Sequence, residues 1–224
     1  MDPVGVPPKK IATDAVTEHG TGAYWTPDGK AIVLISRKDS RKVLLHHPVT
    51  RATTLLHDEA QPPFNNFRLS QGADLRFNNR FLLTFTTDMG HRAMVVDLVK
   101  KQYVANDLMK QGDCEPSWSP DGRFIVMTRR NRLSMDRPLY IAFFDPKTQT
   151  ISPSRYLIGK GRCHGSAVAN DSRHVVYVSG KDLYLWNVEN LPSSPQNGIR
   201  LTTSGTNSDP SLFLFPQGVS LPGP

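Results

Sequence analysis

Asp113-Cys114-Glu115-Pro116-Ser117-Trp118-Ser119-Pro120-Asp121-Gly122-Arg123-Phe124-Ile125-Val126-Met127 is the stretch whose reading decides the fold. It runs from an apolar strand end at Trp118, through a tight turn, into a second apolar strand. Pro120 presets the backbone angle for a turn, Asp121 can bond nearby backbone groups, and Gly122 accepts the positive φ of a sharp reversal. One such segment is an ordinary hairpin. Recurring copies at a regular period specify an architecture.

The segment recurs. Trp25-Thr26-Pro27-Asp28-Gly29-Lys30-Ala31-Ile32-Val33-Leu34-Ile35 matches it closely. Leu75-Arg76-Phe77-Asn78-Asn79-Arg80-Phe81-Leu82-Leu83 rewrites the turn with two asparagines, which tolerate left-handed geometry. Val168-Ala169-Asn170-Asp171-Ser172-Arg173-His174-Val175-Val176-Tyr177-Val178 is a weaker copy, and Asp209-Pro210-Ser211-Leu212 begins a fifth. With Trp25, Leu75, Trp118, Val168 and Leu212 as equivalent points, the spacings are 50, 43, 50 and 44 residues. A further strand pair follows each of the first four copies: 42–46 with 53–56, 94–98 with 102–105, 139–144 with 155–158, and 183–188 with 199–202. Four short strands per period of about 40–50 residues predict an all-β chain of four-stranded antiparallel β-propeller blades. The strands after each turn (32–35, 81–85, 124–127, 175–178) are apolar on both faces, as strands sandwiched between neighbouring blades should be.

Pro-Ser-Trp-Ser-Pro-Asp-Gly-Arg at 116–123, with Leu-Tyr-Leu-Trp-Asn-Val at 183–188 and Ile-Arg-Leu-Thr-Thr at 199–203, resembles the TolB-type propeller repeat. That repeat occurs in periplasmic TolB and in the propellers of prolyl-oligopeptidase-family enzymes. The resemblance covers about residues 19–212 and speaks for fold, because the motif residues build the blade and perform no chemistry. It divides the chain into an arm or linker (1–18), the propeller repeats (19–212) and a tail or truncated blade (213–224). Four to five repeats fall short of the six blades usual for the family, so the sequence is expected to be part of a larger ring, or to close its ring through the N-terminal arm, or to have the gap covered by a partner. The resemblance also implies a periplasmic or secreted setting if a leader precedes this sequence, and a cytoplasmic one otherwise.

Composition agrees with a turn-rich β protein. Pro (18) and Gly (16) total 34 of 224 residues, and Asp outnumbers Glu 16 to 4. No amphipathic helix is evident and no apolar run is long enough to cross a membrane. The formal charge of +7 favours an acidic partner. The densest basic stretch, Arg129-Arg130-Asn131-Arg132, has no interleaved aromatics and reads as a solvated loop, so no nucleic-acid partner is expected. Two cysteines, Cys114 and Cys163, build neither a disulfide framework nor a four-cysteine metal site.

Catalytic signatures are missing: no Gly-x-Ser-x-Gly elbow, no His-Glu-x-x-His, no phosphate-binding glycine loop and no Cys-x-x-Cys. Cys163-His164-Gly165-Ser166 groups a thiol, an imidazole and a hydroxyl, but neighbours on a strand alternate faces, so His164 and Ser166 can share one side without making a triad. The candidate site is a partner-binding channel mouth. His19, Cys114, Glu115, Cys163, His164 and Asp209 lie a few residues before their repeat anchors, and equivalent positions of successive blades converge around the channel. These residue types are also metal-competent, but their offsets are uneven and no metal or other cofactor is assigned. The chain is therefore expected to be a non-enzymatic scaffold for a protein or peptide. The alternative is the gating propeller of a prolyl-oligopeptidase-type hydrolase whose catalytic domain lies outside this sequence.

Overall fold

The computed structural model describes residues 23–88, 90–104, 112–130, 136–152, 156–190 and 198–203. Among them there is no α-helix; a single 3-10 turn spans Val188–Asn190. The strands form four antiparallel sheets, meanders in chain order except that the last strand of the third returns to pair beside its fourth. Blade 1 is β1 (Ala23–Trp25), β2 (Ile32–Ile35), β3 (Lys42–His46) and β4 (Thr53–Asp58). Blade 2 is β5 (Leu69–Arg76), β6 (Phe81–Thr86), β7 (Arg92–Asp97) and β8 (Gln102–Tyr103). Blade 3 holds β9 (Asp113–Trp118), β10 (Phe124–Arg129), β11 (Leu139–Asp145), β12 (Thr150–Ile151) and β13 (Tyr156–Gly159). Blade 4 is β14 (Cys163–Val168), β15 (His174–Ser179), β16 (Asp182–Asn187) and β17 (Ile199–Arg200). The expected fifth copy at 209–212, the arm 1–18 and the tail 213–224 lie outside the described residues.

The repeated turn is the same object in blades 1, 3 and 4, whereas blade 2 closes it through Arg80 N–H, which donates to Arg76 O (3.2 Å) and Phe77 O (3.1 Å), with Phe77 also left-handed (φ 55°). Gly29 N–H donates to Thr26 O, Gly122 N–H to Ser119 O and Ser172 N–H to Ala169 O, at 2.8, 2.8 and 2.9 Å. The aspartate of each turn accepts from the second residue on: Lys30 N–H to Asp28, Arg123 N–H to Asp121 and Arg173 N–H to Asp171. Left-handed backbone falls on Gly29 (φ 68°), Gly122 (φ 76°), Asn78 (φ 52°), Asn79 (φ 62°) and, in the weakest copy, Ser172 (φ 53°). Trp25 opposes Ile32 and Trp118 opposes Ile125, so the two tryptophans hold one register position.

Alternation along the second strand of each blade explains its apolar character on both faces. Leu82, Met94 and Val96 pack with Val33, Ile35 and Val43 of blade 1, whereas Phe81, Leu83 and Val95 face Trp118, Ile125 and Met127 of blade 3. Phe124 and Val126 turn the other way, toward Cys163, Val175 and Tyr177 of blade 4. Each such side chain is worth roughly 1.5–3 kcal/mol when fully buried, so the cores between blades hold the stack together. The first strands β1, β5, β9 and β14 touch one another in sequence, which identifies them as the innermost strands.

One strand differs from expectation. Blade 3 was expected to close with a single outer strand over 155–158; instead two short strands share the outer edge of β11. β12 pairs with Phe144 and Asp145, and β13 with Leu139–Ile141. Pro153, which has no N–H to offer a ladder, falls between them. At the outer seam of blades 1 and 2, the fully buried Glu59 accepts a hydrogen bond from the Tyr103 hydroxyl (2.5 Å) and meets His57 Nε2 (2.9 Å). Burial first, and then the bond to Glu59, raises the tyrosine's pKa.

Candidate functional site

The two ends of the blade stack differ in construction. The Pro-Asp-Gly turns and their equivalents lie at one, the turn end. The innermost strands begin at the other, the entry end. Each of β5, β9 and β14 shifts register near its start: between Leu69 and Ala73, opposite Val126/Thr128, and between His164 and Ser166. The bulge in blade 3 falls on Glu115 (φ 53°) and the one in blade 4 on Gly165 (φ 51°), each three residues before its anchor. A left-handed non-glycine residue is uncommon and re-aims its side chain.

Glu115 is aimed across the seam. Its Oε2 accepts from the Gly165 N–H of blade 4 (3.1 Å) and from Thr128 Oγ1 (3.4 Å), and its Oε1 lies 3.5 Å from Arg137 Nη1. Arg137 is fixed by its backbone, donating to Gly161 O (2.7 Å) and accepting from Cys163 N–H (3.0 Å), which sets it beside Arg162. Arg130 donates to His91 Nε2 (3.0 Å), and the Arg129 guanidinium lies 5.4 Å from the Tyr140 ring centroid. That aromatic partner comes from the neighbouring strand, which is why the basic run at 129–132 shows no aromatics of its own. Arg137 and Arg162 lie beside Glu115 at the seam of blades 3 and 4, and Arg130 faces His91 of blade 2, so three arginines stand at the entry end of blade 3.

The sequence-derived candidates divide as follows. Glu115 stands at the mouth, partly exposed. Cys114 and His164 are in β9 and β14, next to the bulges; their side chains, and the whole of His19 and Asp209, are outside the described residues. Cys163 points away from the mouth. It is fully buried between blades 3 and 4, its thiol meets Lys160 O (3.5 Å), and burial pushes its pKa up to about 11. A protonated, enclosed thiol is a packing group there. Among the described residues no three His, Cys, Asp or Glu side chains converge to hold a metal ion. Arg130, Arg137 and Arg162 were not foreseen as site residues: they lie in connections between strands, and only the fold sets Arg137 beside Arg162 and places Arg130 at the same end of blade 3.

No protein-family model matches the sequence, and no curated protein matches it significantly. Solved structures do match the fold. TolB from Acinetobacter baumannii superimposes with a TM-score of 0.56 at 16% identity, over 75% of this chain and 41% of that one. A putative TolB from Agrobacterium tumefaciens gives 0.58 at 15% identity, over 82% of this chain and 62% of the other. The β-propeller domain of Cps50 (Swd1) from Myceliophteria thermophila gives 0.51 at 13% identity, over 80% of this chain and 56% of that domain. The fold is thus a TolB-like β-propeller, and the chain spans about two fifths to three fifths of the length of these relatives.

Proposed function

We propose that the chain is a non-enzymatic propeller scaffold whose entry end binds an acidic segment of a protein or peptide partner. The observation that carries this reading is Glu115. It sits on a left-handed bulge, bridges blade 3 to blade 4, and is held by a backbone N–H, a hydroxyl and Arg137. The Glu115 carboxylate is thereby satisfied within the scaffold, which leaves Arg130 and Arg162 at the entry end to meet an acidic partner. Groups fixed by sheet backbone lose little freedom on association, which favours a binding surface. Complementary charge adds association rate and selectivity for acidic partners. The likeness to TolB and to other propellers supports the scaffold and says nothing of the partner.

The test is selection of binders from a random peptide display library, followed by fluorescence anisotropy on the enriched peptides. Enrichment of Asp- and Glu-rich sequences is expected. The triple variant Arg130→Glu, Arg137→Glu, Arg162→Glu should then weaken binding at least about tenfold, as loss of charge complementarity over three sites implies. Lys101→Glu, exposed at the turn end, should leave it unchanged. Peptides with no acidic bias, or binding indifferent to the triple reversal, would remove the entry end as the site.

A further inference from the structure

The turn end carries a feature that the scaffold reading does not use. Between blades 3 and 4 lies a cavity of about 360 Å³, lined by Arg123, Phe143, Ser172, Arg173, Val188 and Glu189. Its size falls in the lower part of the range of small-molecule sites. Arg123 and Arg173 hold the same position of the repeat, each following its turn, so adjacent blades place two guanidinium groups on one rim.

Neither guanidinium is fully engaged. The contacts of Arg123 run through its Nε to the Asp121 carboxylate, leaving both Nη groups available. Arg173 comes no nearer to Glu189 than 3.4 Å, from Nε to Oε1, with both side chains about 60% exposed. An ion pair that open contributes little and gives way readily to a competing anion. The planar fork of arginine suits a carboxylate or phosphate, which it can bind through two parallel hydrogen bonds. Ser172 is nearly buried and its Oγ accepts the Asp121 N–H (3.0 Å), which fixes the floor of the cavity against the neighbouring turn. The wall is Phe143, itself braced edge-on by Phe124 and Tyr156 with ring centroids 6.2 and 5.7 Å away. A rigid aromatic wall beside two cationic forks selects a flat apolar body carrying an oxyanion.

We infer that this cavity is a binding site for a small aromatic molecule bearing a carboxylate or phosphate group. The ring would lie against Phe143 and Val188, with the anion between Arg123 and Arg173 in place of Glu189. This site lies at the opposite end of the stack from the proposed peptide mouth, so either can fail without the other.

The experiment is titration of the intact chain, followed by isothermal calorimetry and amide chemical-shift mapping, with four probes: phenyl phosphate, benzoate, inorganic phosphate and benzyl alcohol. Phenyl phosphate, benzoate or both should bind in the millimolar range and shift resonances around 121–123, 143 and 171–173. Inorganic phosphate and benzyl alcohol should bind at least about tenfold more weakly, since each lacks one half of the recognition. Arg123→Gln with Arg173→Gln should cost the aryl oxyanion at least about tenfold while leaving thermal stability in place, because both side chains are exposed. Glu189→Gln should tighten binding by removing the competing carboxylate. The inference is overturned by no aryl-oxyanion binding up to about 10 mM, by inorganic phosphate binding as tightly as phenyl phosphate, or by binding that survives the double arginine substitution.

Discussion

Trp25 and Trp118 occupy the same position of the repeat, yet one is 50% exposed and the other 2%. The difference comes from the neighbour. Trp118 packs edge-on to Phe144 of its own blade and to Phe77 of blade 2, with centroids 5.4 and 6.1 Å away, and its Nε1–H donates to Gly122 O at 2.9 Å in a buried setting. Truncating a buried aromatic side chain to alanine costs roughly 3–5 kcal/mol, and leaving the Gly122 carbonyl unpaired adds about 1 kcal/mol. Trp118→Ala is therefore expected to cost about 5 kcal/mol, a large share of the 5–15 kcal/mol that holds a typical domain. Trp25→Ala removes a half-exposed ring with no hydrogen bond to lose among the described residues, for about 1 kcal/mol. Because Trp118→Ala could unfold the chain, the phenylalanine pair is the finer measurement: about 2 kcal/mol at 118 from lost volume and the lost N–H, and near zero at 25. Urea unfolding followed by far-UV circular dichroism reads both without depending on the substituted fluorophore. Equal costs at the two positions, within about 0.5 kcal/mol, would refute the argument that blade 2 builds the pocket of Trp118.

The same logic applies to the turn glycines: Gly29→Ala should cost about 1 kcal/mol for its positive φ alone, since a Cβ there meets nothing within 4 Å. Gly122→Ala places a Cβ 2.5 Å from Phe77 Cζ and should cost at least about twice as much by thermal unfolding; equal shifts would mean the two blades are not packed at that point. Asp74, buried beside Arg76, has its pKa raised from 3.8 to about 6 by burial, against the pull of the arginine. The folded state thus holds a proton that the unfolded chain releases, so this carboxyl stabilises most below about pH 4 and its contribution is lost as pH rises through 6, by up to about 3 kcal/mol. Asp74→Asn should abolish that slope, so that the variant gains on the parent between about pH 4 and pH 7 in urea midpoints; parallel pH profiles would exclude it.

How much of this was legible beforehand follows from how local each cause is. The turns were readable because Pro, Asp, Asn and Gly act through their own backbone angles and hydrogen bonds, and Asn78, Asn79, Gly29 and Gly122 do adopt positive φ. The sandwiched strands were readable because Phe81–Leu83 and Phe124–Met127 alternate between two apolar neighbours, which leaves no polar face in the sequence. Glu115 was picked as a site residue from its repeat offset, but nothing in its identity signals a left-handed bulge. Cys163 was grouped with it on offset alone, and strand alternation carries its side chain into the core instead. Arg130, Arg137 and Arg162 belong to separate connections, and Arg123 and Arg173 become partners only once two blades stand side by side.

That last point bears on where this architecture places function. Within a blade the repeat residues are consumed: Trp118 fills a pocket, Asp121 closes its own turn, Gly122 clears a phenylalanine ring. What a blade leaves unspent lies at its ends, and stacking multiplies it by bringing equivalent unspent groups to one seam. The seam of blades 3 and 4 shows this twice, with Glu115 reaching for the Gly165 N–H at the entry end and Arg123 facing Arg173 at the turn end. The seam of blades 1 and 2 shows the opposite outcome, since Glu59 there is fully enclosed by Tyr103 and His57 and serves only to hold the outer strands. A buried carboxylate of that kind is satisfied and inert, whereas a cationic rim around a cavity is neither. It follows that the chemistry of this chain should be sought where copies of the repeat meet, at positions whose residues differ from one seam to the next.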